Sequence, residues 1–186
     1  TRWYSRACVQ MVGQELADTL KTAFMQSIRK YQEANGFLPE KIFIFRDGVS
    51  EGQISTVVEH EVAQLRSCFS SEYSPQMAVI VVQKRISTRI FAENRGVVNP
   101  TPGTVVDTGI TSMDKFDFFL VSQHVNQGTV TPTHYIVSYD DTNYKPDYVQ
   151  RLSYKMTHMY YNWSGTIRVP APVSYTHLAG DSQMTL

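Results

Sequence analysis

Residues 41–54, "KIFIFRDGVSEGQI", carry the apolar run Ile42–Phe45 straight into Arg46, Asp47 and Gly48. A short apolar run of this kind reads as a buried strand. Gly48 permits a sharp turn, and Ser50 with Gln53 can form a capping box that opens a helix. The core stripe of that helix is then Ile54, Val57, Val58, Val62, Leu65 and Phe69. A strand that turns into a helix is the repeating unit of α/β folds, whose chemistry gathers where loops leave the carboxyl ends of strands. Asp47 stands at such an end. Burying an ionised carboxylate without a partner is costly. Asp47 therefore either accepts backbone N–H groups in its own turn, as Asp before Gly often does, or faces a cation.

Upstream, Trp3, Ala7, Val9 and Met11 fall on one side of a period-2 pattern, which predicts a strand over 2–12. Gly13 breaks it. Leu16, Leu20, Phe24 and Ile28 then recur at four-residue spacing and predict an amphipathic helix, stopped by Asn35-Gly36 and Pro39. Downstream, "MAVIVVQ" (77–83) predicts a strand buried on both faces. Residues 94–104 read as a surface loop, and strands follow at 104–107, 116–122 and 134–139. Pro146-Asp147 opens a last long helix through about Tyr161. "IRVPAPVSYTHL" (167–178) reads as an extended segment stiffened by Pro170 and Pro172. No repeat or linker interrupts the pattern, and the expectation is one three-layer α/β domain with a mixed sheet flanked by helices.

The 186 residues suit a single domain of ordinary size, and 42% hydrophobic with 18% charged residues are globular values. The formal net charge is zero, so any nucleic-acid surface has to come from local clustering. Cys8 and Cys68 do not make a disulfide framework and are expected as reduced, buried thiols. No apolar stretch reaches membrane-spanning length, and no signal peptide is expected. The chain opens on "TRWYSRACVQ" without Met and reads as a piece of a longer protein.

Few residues could join Asp47 in a site. Glu15 lies in the first turn of its helix, where the macrodipole favours a carboxylate in any case. His60 is in "EHEVAQ", where a zinc-protease pattern needs His at 64 and Gln64 stands instead. His134 and His158 read as packing or surface residues. His177 follows the rigid "VPAP" segment, which can aim it. "QKRISTRIFAENR" (83–95) gathers Lys84, Arg85, Arg89 and Arg95 against Glu93. That cluster is a solvated face or, at the sheet edge that bears Asp47, a phosphate-contacting surface.

Taken together, "FRDGVSEGQ", "VIVVQKRISTRIF" and "IRVPAPVSYTHLA" resemble the C-terminal part of the PIWI domain of the Argonaute superfamily. "NPTPGTVVD", "DFFLVSQ", "QGTVTPTHYIVSYD" and "KPDYVQRLSYKMTHMYYNW" resemble the Piwi clade more closely than the Ago clade. The similarity runs from residue 1 to about Ala179, and the polar tail "THLAGDSQMTL" departs from the family's apolar C-terminus. The resemblance implies a ribonuclease-H-like fold and a guide-RNA (piRNA)-directed endoribonuclease that cleaves complementary RNA with Mg²⁺ or Mn²⁺, silencing transposons and genes in the germline. Residue by residue it implies Asp47 as the second aspartate of an Asp-Glu-Asp-His tetrad, Glu15 as its glutamate and His177 as its histidine. The tetrad's first aspartate and the preceding strands would lie upstream of Thr1, so the fragment alone is expected to be inactive.

By the same resemblance Asp47 and His177 hold the metal, while Lys84, Arg85, Arg89, Gln123, Tyr160 and Arg168 contact the guide backbone. The implied partners are guide and target RNA, the MID, PAZ and N domains of the parent chain, and silencing cofactor proteins, with no membrane. The implied location is perinuclear cytoplasmic granules or the nucleus. The alternative is a catalytically idle guide-RNA scaffold that recruits silencing partners.

Overall fold

The computed structural model describes residues 2–7, 16–48, 52, 54–177 and 183–185. A five-stranded mixed sheet forms the middle layer, in the order β2 (Lys41–Asp47), β3 (Gln76–Gln83), β8 (Thr133–Asp140), β7 (Phe116–Val121) and β6 (Thr104–Val106). β2 and β3 run parallel with Asp47 registered on Val82; the remaining pairs are antiparallel. The period-2 alternation of β2 sorts its side chains between two layers. Ile44 joins a core with Met77, Val79 and the helix residues Leu20, Phe24, Ile28 and Leu65. Phe43 and Phe45 point the other way, into a core of Ile80, Val82, Phe118, Leu120, Val149 and Val173. Helices thus cover both faces, which is why Met77–Val82 are all buried and why that strand reads as unbroken apolar sequence.

On the first face lies α1 (Leu16–Asn35). Leu20, Phe24 and Ile28 of its expected stripe are 6%, 0% and 5% exposed, and the side chain of Leu16 lies outside the described residues. Removing the fully buried Phe24 ring would cost about 3–5 kcal/mol. The helix stops where expected, with Gly36 at φ 83° and its N–H on the Gln32 carbonyl. The helix expected after Asp47 is present but not regular. It runs as α2 (Ile54–Val57), a π-helical turn (Val58–Val62) and α3 (Ala63–Arg66). Val62 and Leu65 are buried with Phe69 packed beside them, while Ile54 is buried with Val81 and Ile136. Ser50 and Gln53 of the expected capping box lie outside the described residues.

On the second face lie α4 (Pro146–Met156) and α5 (Ala171–His177), and here two expectations are corrected. α4 stops at Met156 rather than near Tyr161. The Thr157 hydroxyl turns back onto the Tyr154 carbonyl at 2.7 Å, and the Thr157 carbonyl accepts the Ile167 N–H at 3.0 Å, closing a loop. Residues 171–177, expected to be extended, are helical. Pro170 supplies the carbonyl for the Ser174 N–H at 3.1 Å, and Pro172 falls in the first turn, where an absent N–H has no helical partner to lose.

Two smaller pairings complete the fold. Residues 94–104 are not wholly loop, because β4 (Ala92–Glu93) and β5 (Val97–Val98) form an exposed hairpin across Arg95 and Gly96, both at positive φ. Of the strand expected over 2–12, β1 (Ser5–Ala7) is described, and it pairs antiparallel with β9 (Gln183–Thr185) from the far end of the chain. Cys68 is a half-buried free thiol whose pKa burial pushes up, while Cys8 lies outside the described residues. Among the described residues no helix is long and apolar enough to cross a membrane.

Candidate active site and nucleic-acid interface

Asp47 ends β2, and Gly48 follows at φ 72°, a left-handed conformation that glycine adopts without the Cβ penalty. The backbone of Asp47 is held by its neighbour: the Arg46 guanidinium donates through Nη1 to the Asp47 carbonyl at 2.6 Å. Arg46 is itself fixed by Glu61 of the π-helical turn, with Nε 3.1 Å from Oε2. The π turn therefore carries a carboxylate that props the strand end.

The side chain of Asp47 meets a cation from the adjacent strand. Lys84 follows the end of β3, and its Nζ lies 3.0 Å from Asp47 Oδ2, with the two side chains 24% and 16% exposed. The sequence does not show these two residues as a pair. Each stands out there in a separate role, and the parallel register that places Asp47 opposite Val82 is what makes them neighbours.

Lys84 is in turn locked into a second group. The Arg168 guanidinium donates through Nη2 to the Lys84 carbonyl, and to that of Pro132 at 3.4 Å. The Arg168 carbonyl accepts the hydroxyls of Ser122 at 2.9 Å and Thr133 at 2.9 Å. Burial lowers the pKa of Arg168, and the nearby charge of Arg89 lowers it further. Two guanidiniums and an ammonium thus converge on the edge where β2, β3 and β7 end and β8 begins. Arg89 is bound to the carbonyls of Ile86 and Thr88, and Arg85 is exposed. Carbonyls hold Arg89 and Arg168 in place without neutralising them, so the cluster keeps charge available for an anion.

The other expected residues are distributed around this edge. Gln123 directly follows Ser122 and is half-buried. Tyr160 lies in the loop after α4, with its ring 5.2 Å from that of Tyr175 in α5. His177 is the last residue of α5, the helix whose Val173 packs in the same core as Phe45 of β2. The side chain of His177 and the whole of Glu15 lie outside the described residues. Among the described residues no group of three or more His, Cys, Asp or Glu is placed to hold a metal ion.

Sequence reasoning missed one buried polar group. His134, read as a packing or surface residue, sits with Nε2 2.6 Å from Asp117 Oδ2 and Nδ1 3.2 Å from Gln83 Oε1. Its ring stacks on Phe119 at 4.2 Å. The signal was an aspartate in an otherwise apolar strand, "FDFFLV", and a histidine at the start of the neighbouring one.

The Piwi domain family profile matches residues 1–183. The chain belongs to the Piwi domain family. It is 52% identical over 181 residues to Piwi-like protein Ago3 of Bombyx mori, covering 95% of this chain and 20% of that protein. It is also 52% identical over 181 residues to Piwi-like protein 1 of Gallus gallus, covering 95% and 21%. The crystal structure of Drosophila Piwi superposes with a TM-score of 0.80 at 43% identity, covering 89% of this chain and 24% of that one. Kluyveromyces polysporus Argonaute, solved with a guide RNA, superposes at 0.79 with 34% identity, covering 89% and 21%. This Piwi domain thus has the RNase H-like architecture of Argonaute PIWI domains. It spans about a fifth of the length of the curated relatives it matches.

Guide-directed RNA silencing, RNase H-like endonuclease chemistry and divalent metal use are general to the Piwi and Argonaute family. Asp47 fits a divalent cation on one count of this structure: its carboxylate is a hard oxygen donor at a strand end, and it already draws a positive charge, the Lys84 ammonium, to 3.0 Å.

Proposed function

We propose that this Piwi domain is the catalytic module of a piRNA-guided endoribonuclease that cleaves complementary RNA. The observation that carries the reading is the position of Asp47 at the end of β2, beside the Lys84, Arg89 and Arg168 cluster. A carboxylate that can hold a cation and a set of cations that can hold phosphates are what phosphodiester hydrolysis on a polyanion requires. Asp47 and His177 would hold Mg²⁺ or Mn²⁺, with Glu15 as the third catalytic residue. When bound, that metal supplies charge stabilisation and an activated water. The chain's own contribution is positional: Arg46 and Glu61 fix the Asp47 backbone, and Arg168 fixes the β3 end from which Lys84 reaches.

Lys84, Arg85, Arg89, Gln123, Tyr160 and Arg168 are proposed to contact the guide backbone. Such contacts fix position, and base pairing to the guide reads sequence. In the intact protein the expected partners are guide and target RNA, the MID, PAZ and N domains, and silencing cofactor proteins. Transposon silencing in germline granules or the nucleus is the setting that fits this chemistry.

The Lys84–Asp47 pair also favours a second reading, a guide-RNA scaffold whose carboxylate is permanently neutralised by lysine. A full-length wild type that loads guide but cleaves no complementary RNA would support the scaffold; where it does cleave, Asp47→Asn tests the role of the carboxylate. As a slicer residue, its loss lowers guide-directed cleavage by orders of magnitude while guide loading persists. Cleavage kept near the wild-type rate, with a lowered melting temperature, would return Asp47 to a purely structural role.

A further inference from the structure

Lys84 is fixed at its backbone and flexible along its side chain. Its carbonyl is gripped by the Arg168 guanidinium, and the preceding Gln83 is in the β3–β8 ladder opposite His134. From that anchor a four-carbon stem with rotatable bonds carries the ammonium to Asp47. The Asp47 carboxylate on β2 faces the ammonium, while the Arg168 guanidinium sits on the Lys84 carbonyl and has the charge of Arg89 near it. A divalent cation bound by Asp47 would meet the Lys84 ammonium at close range, and like charges so near in a half-buried site repel strongly. The same ammonium lies at an edge rich in cations, where an incoming phosphate would compete with Asp47 for it.

We propose that Lys84 is the exchangeable counter-ion of Asp47. In the metal-free protein its ammonium neutralises the carboxylate. When a divalent cation takes Asp47, the ammonium swings to a phosphate oxygen of a bound nucleic-acid backbone. One lysine then serves two sites, so metal and nucleic acid each raise the affinity for the other by the same factor. The inference rests on the reading of Asp47 as a metal ligand.

The test is Mn²⁺ binding to the full-length protein, followed by the EPR signal of free Mn²⁺, with and without a 5′-phosphorylated guide RNA. Wild type should bind Mn²⁺ about tenfold more tightly with guide than without. Lys84→Met, which removes the competing charge, should bind Mn²⁺ about tenfold more tightly than wild type in the absence of guide, and should lose most of the guide's effect. Lys84→Arg keeps the charge and guards against misfolding of the Met variant; a forked guanidinium grips the carboxylate more firmly, so guide-free Mn²⁺ binding should weaken. Guide-free Mn²⁺ affinity unchanged or weakened in Lys84→Met, or unchanged in Lys84→Arg, overturns the exchange. Asp47→Asn identifies which idea has failed. If it weakens Mn²⁺ binding while the lysine variants change nothing, only the exchange is lost. If it leaves Mn²⁺ binding at the wild-type level, the metal reading falls and the exchange with it.

Discussion

His134 Nε2 lies 2.6 Å from Asp117 Oδ2 inside the sheet, and the far oxygen of the same carboxylate accepts the Ser112 N–H at 2.8 Å. Asp117 is 3% exposed, so both donors depend on it. Asp117→Ala leaves the buried His134 ring nitrogen without its acceptor and is expected to cost about 1–3 kcal/mol, the range for a buried polar group left unsatisfied. Chemical denaturation should show the loss. A destabilisation under about 1 kcal/mol, the scale of an exposed ion pair, would mean that water replaces the carboxylate.

Gly48 stands at φ 72°, and no atom of the described residues lies within 4 Å of where its Cβ would be. The cost of Gly48→Ala is therefore backbone strain alone, about 1 kcal/mol. Thermal melting should report that small loss. If the turn relaxes by shifting Asp47, the ion pair with Lys84 breaks as well, and the destabilisation grows beyond strain.

Asp141 follows β8 and ties three elements together, accepting from the Met77 N–H at 2.5 Å, the Tyr139 hydroxyl at 2.7 Å and the Arg66 guanidinium at 2.7 Å. Burial works against its charge, but these donors together outweigh it and hold its pKa below the ordinary 3.8. A depressed carboxylate pKa adds stability that is fully present above 3.8 and drains away as pH falls through the folded value. Asp141→Asn should therefore flatten the fall of melting temperature with acidification below about pH 4. Identical slopes in the two proteins would show that Asp141 is not linked to folding.

Tyr135 is fully buried, stacks on Phe118 at 4.9 Å, and has no hydrogen-bond partner for its hydroxyl among the described residues. Burial pushes its pKa well above the usual tyrosine value. Removing a buried hydroxyl that lacks a partner is neutral or stabilising. Tyr135→Phe is expected to melt at or above the wild-type temperature, and a loss of about 1 kcal/mol or more would reveal a hydrogen bond made in solution.

Changing Lys84, Arg85 and Arg89 together to Ala in the full-length protein should weaken guide binding for every guide sequence. The salt slope should fall by about 0.7 for each phosphate of a single strand that is no longer neutralised. An unchanged slope would assign the cluster to a solvated face.

Much of this fold was legible because its signals are local. The spacing of Leu20, Phe24 and Ile28 depends only on helix pitch, and the unbroken Met77–Val82 run only on burial of both strand faces. Asp47 and the 83–95 cluster stood out for the same reason, as charges set against apolar neighbours. Where sequence reading failed, a distant partner overrode the local preference. α4 stops because Ile167 takes the Thr157 carbonyl, and the π turn stands where Glu61 meets Arg46, whereas the proline-rich segment coils through a local bond, from the Ser174 N–H to the Pro170 carbonyl. The sequence by itself determined the layers, the strand that ends on Asp47 and the family to which the chain belongs, since each rests on periodicity or on contiguous motifs. Only the tertiary structure decided what Asp47 faces. Lys84 is 37 residues away along the chain, and the two charges meet because parallel pairing of β2 with β3 brings both strand ends to one edge.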